Sequence, residues 1–406
     1  MSCIFPKNCF LPRQLPTPSL FASYRFDDYP RAGLRCHPWK MTDTQAILLN
    51  AYDLLGNRRT RDVANRILDT KEQLHRHVEF DGPIMLDSGA FNFLKHHEIS
   101  INPRDVLKIG IELKADISVV LDHPMHPKSK KKEQRKRWDN TIINTRSMFE
   151  MLRTLEGETP PGFRLMPVLH GYEADTLKRS LDDIVDIWDH EPPIIGIGSL
   201  APLALNGSKR TVIDIILAVR RLLPNSHIHC FSLGSALLML FAFYCGADTV
   251  DSQTWIVSAA FKNVQLPGFH STRFSDRESR KDPSKYESVR LAFAQRLLQL
   301  TVEEGFLVKN WDTNEDWPVN NERDALSYLN YLEDHEGIKS IHGRACHNLY
   351  TFNFEANRVR QEKKGGNLAA FVKSRMKSTV YRRTFDYAIE QSQSKPQVRD
   401  PQPGRM

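Results

Sequence analysis

Two aspartates stand where a chain can most easily build chemistry, directly after apolar runs that read as buried β-strands. Asp87 closes Ile84-Met85-Leu86, and Asp251 closes Thr249-Val250. Four similar runs lie between them, separated by segments long enough to hold helices. Parallel strands delivering their C-terminal ends to one pocket would bring the two carboxylates together. Two carboxylates facing one site are the usual equipment for breaking a bond to a sugar's anomeric carbon. Each aspartate alone fits equally well as a helix N-cap or as one half of a buried ion pair.

The elements that must position them come next. Candidate strands are Ala46–Asn50, Ile84–Asp87, Ile117–Asp122, Leu165–His170, Ile194–Gly198, Ile228–Leu233 and Thr249–Asp251. Helical patterns fall between them, as in Val106–Lys114, Asp139–Leu155 and Val212–Leu223. Apolar strands joined by helices predict an α/β fold with a parallel sheet, and a (β/α)8 TIM-like barrel is its natural closure. The eighth strand is expected within Phe261–Leu266. In that fold, polar residues at strand ends are the catalytic candidates. Here those ends carry Asp87, Asp122, His170, Gly198, Ser199, Gly234, Ser235 and Asp251.

The barrel core is expected over residues 41–273. Residues 1–40, rich in proline and aromatics, read as an irregular arm, and Met41 is an alternative start. Residues 275–288 read as a polar loop. Residues 274–390 read as a helical, basic C-terminal extension, and 391–406 as a disordered tail.

The 406 residues carry 40% hydrophobic and 26% charged side chains, which excludes wholesale disorder. No apolar run approaches the ~20 residues of a membrane helix. No secretory pattern opens the chain, so a cytoplasmic protein is expected, in the host cytoplasm if it is viral. Six cysteines without a CxxC predict reduced thiols. The net charge of +7 is uneven. Lys128, Lys130, Lys131, Lys132, Arg135, Lys136 and Arg137 crowd one stretch after the strand ending in Asp122, on the expected pocket face. A second basic run spans Arg358–Arg383. Either run alone reads as a solvated helix face; together they predict a surface that tracks phosphates.

At these residues the chain resembles the tRNA-guanine transglycosylase superfamily, and within it the DNA-acting, DpdA-like branch that inserts 7-deazaguanines. The DSGGFQ element of the tRNA enzymes is similar to Asp87-Ser88-Gly89-Ala90-Phe91-Asn92, and VVLDHP supplies a base-reading Asp122. V-Q-G-G resembles Val168-Leu169-His170-Gly171, and I-G-G-L-A resembles Ile197-Gly198-Ser199-Leu200-Ala201. G-V-D-x-F-D resembles Gly246–Asp251. Five motifs in order over residues 45–255 make a specific signal, although each alone is weak.

The resemblance implies that Asp251 is the nucleophile and Asp87 the general acid/base. It implies a base pocket of Ser88, Gly89, Phe91, Asp122, His170, Gly198, Ser199 and Leu200. His170 and Ser199, where the motifs have glutamine and glycine, are expected to reshape recognition at the 7-position. Exchange would need no cofactor. The zinc-binding cysteine cluster of the tRNA enzymes is missing; His342, Cys346 and His347 are weak candidate ligands. That gap favours guanine exchange for a 7-deazaguanine precursor in DNA, such as 7-cyano-7-deazaguanine, with protection from restriction as its purpose. The alternatives are the same exchange in tRNA, a non-catalytic nucleic-acid-binding subunit, and a nucleosidase-like barrel hydrolase. A helper protein that delivers substrate is compatible with any of these.

Overall fold

The structure is a computed structural model that describes residues 15–26, 33–94, 99–155, 157–205, 207–269, 271–333 and 341–394. Eight parallel strands build the central ring among these residues. They are β1 (Ser19–Ser23), β2 (Ala46–Asn50), β3 (Ile84–Asp87), β4 (Ile117–Val119), β5, β6 (Ile194–Ile197), β7 (His227–Cys230) and β8 (Thr249–Ser252). Strand β5 runs as Arg164–Met166 and Val168–Leu169, interrupted at Pro167, which has no N–H to give a neighbour. Its first piece pairs with β4 and its second with β6, while β1 joins β2 to β8. The ring therefore closes through one interrupted strand, giving a TIM-like α/β barrel.

The strands read as unbroken apolar runs because both faces are covered, by the barrel interior and by the helices outside. Phe21, Ala46, Met85, Ile117, Val119, Met166, Val168 and Ile194 fill one cluster. Leu20, Ala22, Ile47, Leu49, Ile84 and Leu86 alternate with them and pack outward against helices.

The eighth strand is not where the sequence put it. Asn263–Val264 instead forms a short antiparallel pair with Thr272–Arg273, and the ring is completed by Ser19–Ser23 from the supposed irregular arm. Just after Pro18, Ser19 and Ser23 bracket only three apolar residues, too few to declare a strand in a proline-rich segment. Residues 275–288 also differ from expectation. Asp276–Lys281 is helical, and a long helix begins at Pro283, where proline needs no hydrogen-bond partner.

Beyond the barrel the chain is helical, and it builds a second core around Phe293, Phe306, Trp311, Tyr328 and Leu329. Helix Ile341–Lys364 bridges the two cores: Phe352, Ala356 and Val359 pack with the barrel cluster, and Cys346 and Phe354 with the second. Thr379–Gln393 is a helix, so the first residues of the expected tail are ordered, and 395–406 lie outside the described residues. No described helix is long and apolar enough to cross a membrane.

Candidate active site

Strand register sets the geometry. Asn50 lies beside Asp87 on β2 and β3, and Phe21 lies beside Asp251 on β1 and β8. A single cleft at the C-terminal end of the ring is lined by Asp87, Phe91, Asp122, Gly198, Ser199 and Leu200. Pro124, Ala201, Phe231 and Ser232, which the sequence did not single out, complete the lining. Phe91 is 47% exposed, so its ring is open to a ligand and not part of the core.

Asp87 sits at a sharp turn. Gly89 adopts φ +84°, and a Cβ there would fall 2.1 Å from Asn50 Oδ1, so only glycine fits. The Gly89 amide donates to Asp87 Oδ2 at 3.1 Å. Against that, burial and the nearby Asp122 and Asp251 carboxylates raise the Asp87 pKa to about 8. Ser88 is fully buried, and its hydroxyl accepts from Ala90 N at 3.4 Å, supporting the turn from behind.

Asp251 is furnished differently. Ser23 Oγ donates to its Oδ2 at 2.9 Å, and Ser232 N donates to its Oδ1 at 2.7 Å. His229 Nε2 lies 3.4 Å from the same Oδ1. Ser232 holds a left-handed backbone (φ +56°), which aims its amide at the carboxylate. None of these three partners was legible beforehand, because each depends on strand register or on one backbone angle.

Asp122 follows β4 in a loop clamped by the basic helix Lys131–Thr154. That helix buries Trp138, Thr141, Thr145 and Met148, one face at helical spacing. From the same side Asn144 Nδ2 donates to Leu121 O at 2.8 Å, and Thr141 Oγ1 accepts from His123 N at 2.9 Å. Arg137 donates to Pro124 O at 2.9 Å and to Glu133 at 3.0 Å. Arg137, grouped by sequence with the phosphate-tracking residues, thus turns inward and holds the loop. Lys128, Lys130, Lys131, Lys132, Arg135 and Lys136 remain exposed. A cavity of about 600 Å³ opens beside them, with Lys131, Arg135, Arg179, Trp138 and Tyr172 among its walls and His170 at its boundary with the cleft.

Two members of the second basic run serve the interior, while Lys363, Lys364, Lys373, Lys377, Arg382 and Arg383 are exposed. Arg360 donates to Pro18 O at 2.7 Å and Ser19 Oγ at 3.0 Å, at the entry of β1 and therefore at the opposite end of the ring. Arg375 is buried between Glu304 and Glu355. These cations are internal ties, since a buried guanidinium needs carboxylate or carbonyl partners.

The candidate metal ligands are committed elsewhere. His347 Nε2 faces Gln265 O at 2.8 Å and must carry the proton, so Nδ1 accepts from Tyr328 OH at 2.9 Å. Burial lowers the His347 pKa to about 4, consistent with a neutral ring. His342 Nε2 donates to Trp311 O at 3.0 Å and its Nδ1 accepts from Arg35 N at 3.3 Å. Cys346 is buried against His342, and burial pushes its thiol pKa up. Among the described residues no group of three His, Cys, Asp or Glu is placed to hold a metal, and these three do not fit zinc.

The sequence has relatives. A tRNA-guanine(15) transglycosylase of Thermoplasma acidophilum is 31% identical over 224 residues, which is 55% of this chain and 33% of the relative. The enzyme of the same name from Methanococcus aeolicus is 24% identical over 349 residues, 84% of this chain and 46% of its own length. That of Pyrobaculum aerophilum is 26% identical over 221 residues, 54% of this chain and 41% of the relative. The chain thus spans between a third and a half of the length of these relatives. The family model for queuine tRNA-ribosyltransferase (TGT) matches residues 30–380, most of the sequence, and the chain belongs to that family.

Proposed function

We propose that the chain exchanges guanine in a nucleic acid for a 7-deazaguanine base, by double displacement at the anomeric carbon, and that tRNA is the polymer. The observation that carries this reading is the unequal provision of two neighbouring carboxylates, Asp87 and Asp251. Asp87, with its pKa near 8, holds a proton at neutral pH. Asp251 holds hydrogen-bond donors on both oxygens, which fix its direction.

In the first displacement an Asp251 oxygen bonds to C1′ as the C1′–N9 bond breaks, and N9 of the departing guanine takes the Asp87 proton. The incoming base then surrenders its N9 proton to Asp87, and its N9 attacks C1′ and frees the Asp251 carboxylate. The sugar–phosphate chain is never cut. Asp122 accepts from the N–H and amino edge of the base, while the amides at Ser199 and Leu200 face the carbonyl edge. Phe91 offers its exposed ring for stacking, and Lys128–Arg135 flank the approach for phosphates.

The names of the relatives favour tRNA over DNA, the polymer to which the missing cysteines pointed. DNA keeps one specific observation in its favour: His342, Cys346 and His347 are bonded away from any metal. The test supplies guanine-labelled tRNA or duplex DNA with and without 7-cyano-7-deazaguanine, and reads label release and base incorporation. Exchange in tRNA, lost in Asp251→Ala, supports the reading. Exchange in DNA alone moves the assignment to DNA and restores a role against restriction. Exchange in neither polymer contradicts it.

A further inference from the structure

Asp122 does not stand alone in the cleft, because a chain of contacts runs from it through His170 and Ser199 to the Met125 amide. We infer that His170 and Ser199 act as one coupled unit of positioning residues that sets the direction of the Asp122 carboxylate for the base. This rests on the reading of Asp122 as the base acceptor.

Met125 N donates to Ser199 Oγ at 2.8 Å, and Ser199 Oγ lies 2.8 Å from His170 Nδ1. With the amide on one lone pair, the hydroxyl keeps a proton to give and a second lone pair, so its contact with Nδ1 holds in either imidazole tautomer. The other ring nitrogen, Nε2, lies 2.9 Å from Asp122 Oδ2. The pair is at contact distance without the alignment of a hydrogen bond, which leaves Nε2 without a hydrogen-bond partner among the described residues.

The ring itself cannot drift. His170 is 1% exposed, Trp138 meets it edge-on at 6.3 Å, and a Cβ on Gly198 would fall 2.3 Å from its Cε1. Ser199 adopts φ +61°, a conformation that glycine would hold without strain, so the hydroxyl is present at a backbone cost. Tyr172 OH donates to Met125 O at 2.8 Å and fixes the other side of the same residue. The unit thereby ties together the loops after β4, β5 and β6, the three that surround the base edge. A polar chain of this kind is productive only when every member is present.

A double-mutant cycle tests this. Ser199→Gly suits the backbone and deletes the hydroxyl; His170→Gln deletes the ring and keeps an amide within reach of Asp122. For wild type, both single variants and the double variant, KM for the free deazaguanine base, kcat and the thermal midpoint are measured. Each single change is expected to raise KM about tenfold, the scale of one charge-linked hydrogen bond, with kcat moved less. The second change is expected to add little to the first, because either alone breaks the chain. Single effects that multiply in the double variant, or unchanged KM with a lowered midpoint, would overturn the coupling. Ser199→Ala repeats the hydroxyl deletion if the glycine variant folds poorly. Asp122→Asn separates the premises: if it leaves KM for the base unchanged, the reading of Asp122 fails, whatever the pair does.

Discussion

Asp87 and Asp251 are the same side chain at the same end of parallel strands in one ring, yet their surroundings differ in kind. Around Asp251 the fold supplies donors: a hydroxyl from β1 and an amide from the turn after β7, with a histidine from β7 alongside. Around Asp87 it supplies burial, two neighbouring carboxylates and the amides of its own turn. The first environment fixes a carboxylate in direction; the second makes charge unwelcome and keeps a proton in place. On the proposed reading, neighbours alone would make a nucleophile and an acid from a single residue type.

The comparison breaks most completely if its donor-rich half is removed. Asp251→Asn should lower exchange by at least about 10⁴-fold, since the covalent route closes, as read by label release. Asp87→Asn should lower exchange by about 10²–10⁴-fold, the span of general acid–base catalysis, and should leave nucleic-acid binding intact in a filter or shift assay.

The pH dependence sharpens the contrast. Guanine release in wild type should fall as pH rises through about 8, where Asp87 loses its proton, and that limb should vanish in Asp87→Asn. The stability sign is also fixed. The folded pKa of about 8 exceeds the ordinary aspartate value of 3.8, so the folded chain binds the extra proton between those values. Stability is therefore lost as pH rises across that window, and Asp87→Asn should melt higher than wild type at pH 8.5 but not at pH 4.

Smaller effects come from the supports. Ser23→Ala removes one donor from Asp251 and should lower kcat by about 10- to 100-fold, the scale of a hydrogen bond to a charge, about 1.5–3 kcal/mol. Lys132→Ala should weaken nucleic-acid binding modestly and reduce the salt slope by about one unit, without touching the pH profile. Arg137→Ala should instead disturb the Asp122 loop and raise KM for the base.

What the sequence made legible follows the same physics. Strands buried on both faces are continuous apolar runs, so β2 to β8 and the aspartates ending β3 and β8 stood out. Strand β1 did not, because Ser19 and Ser23 bracket only three apolar residues in a proline-rich segment. Its omission hid Ser23, which reaches Asp251 only through the β1–β8 register. The basic runs were visible as charge but not as direction. Arg137 and Arg375 show how a cation in a charged stretch can serve the interior, once a helix face or a buried carboxylate claims it. His170 and Ser199 were recognised as unusual residues, yet their mutual contact needed the fold, since they lie 29 positions apart.

The most direct measurement of the central claim is a search for the covalent intermediate. Wild type, Asp87→Asn and Asp251→Asn are each incubated with end-labelled tRNA and, separately, DNA, then resolved on a denaturing gel. The account predicts a protein-linked nucleic-acid band for wild type that is discharged by added 7-deazaguanine base, and no such band for Asp251→Asn. A band that persists in Asp251→Asn, or base exchange there at the wild-type rate, would contradict it.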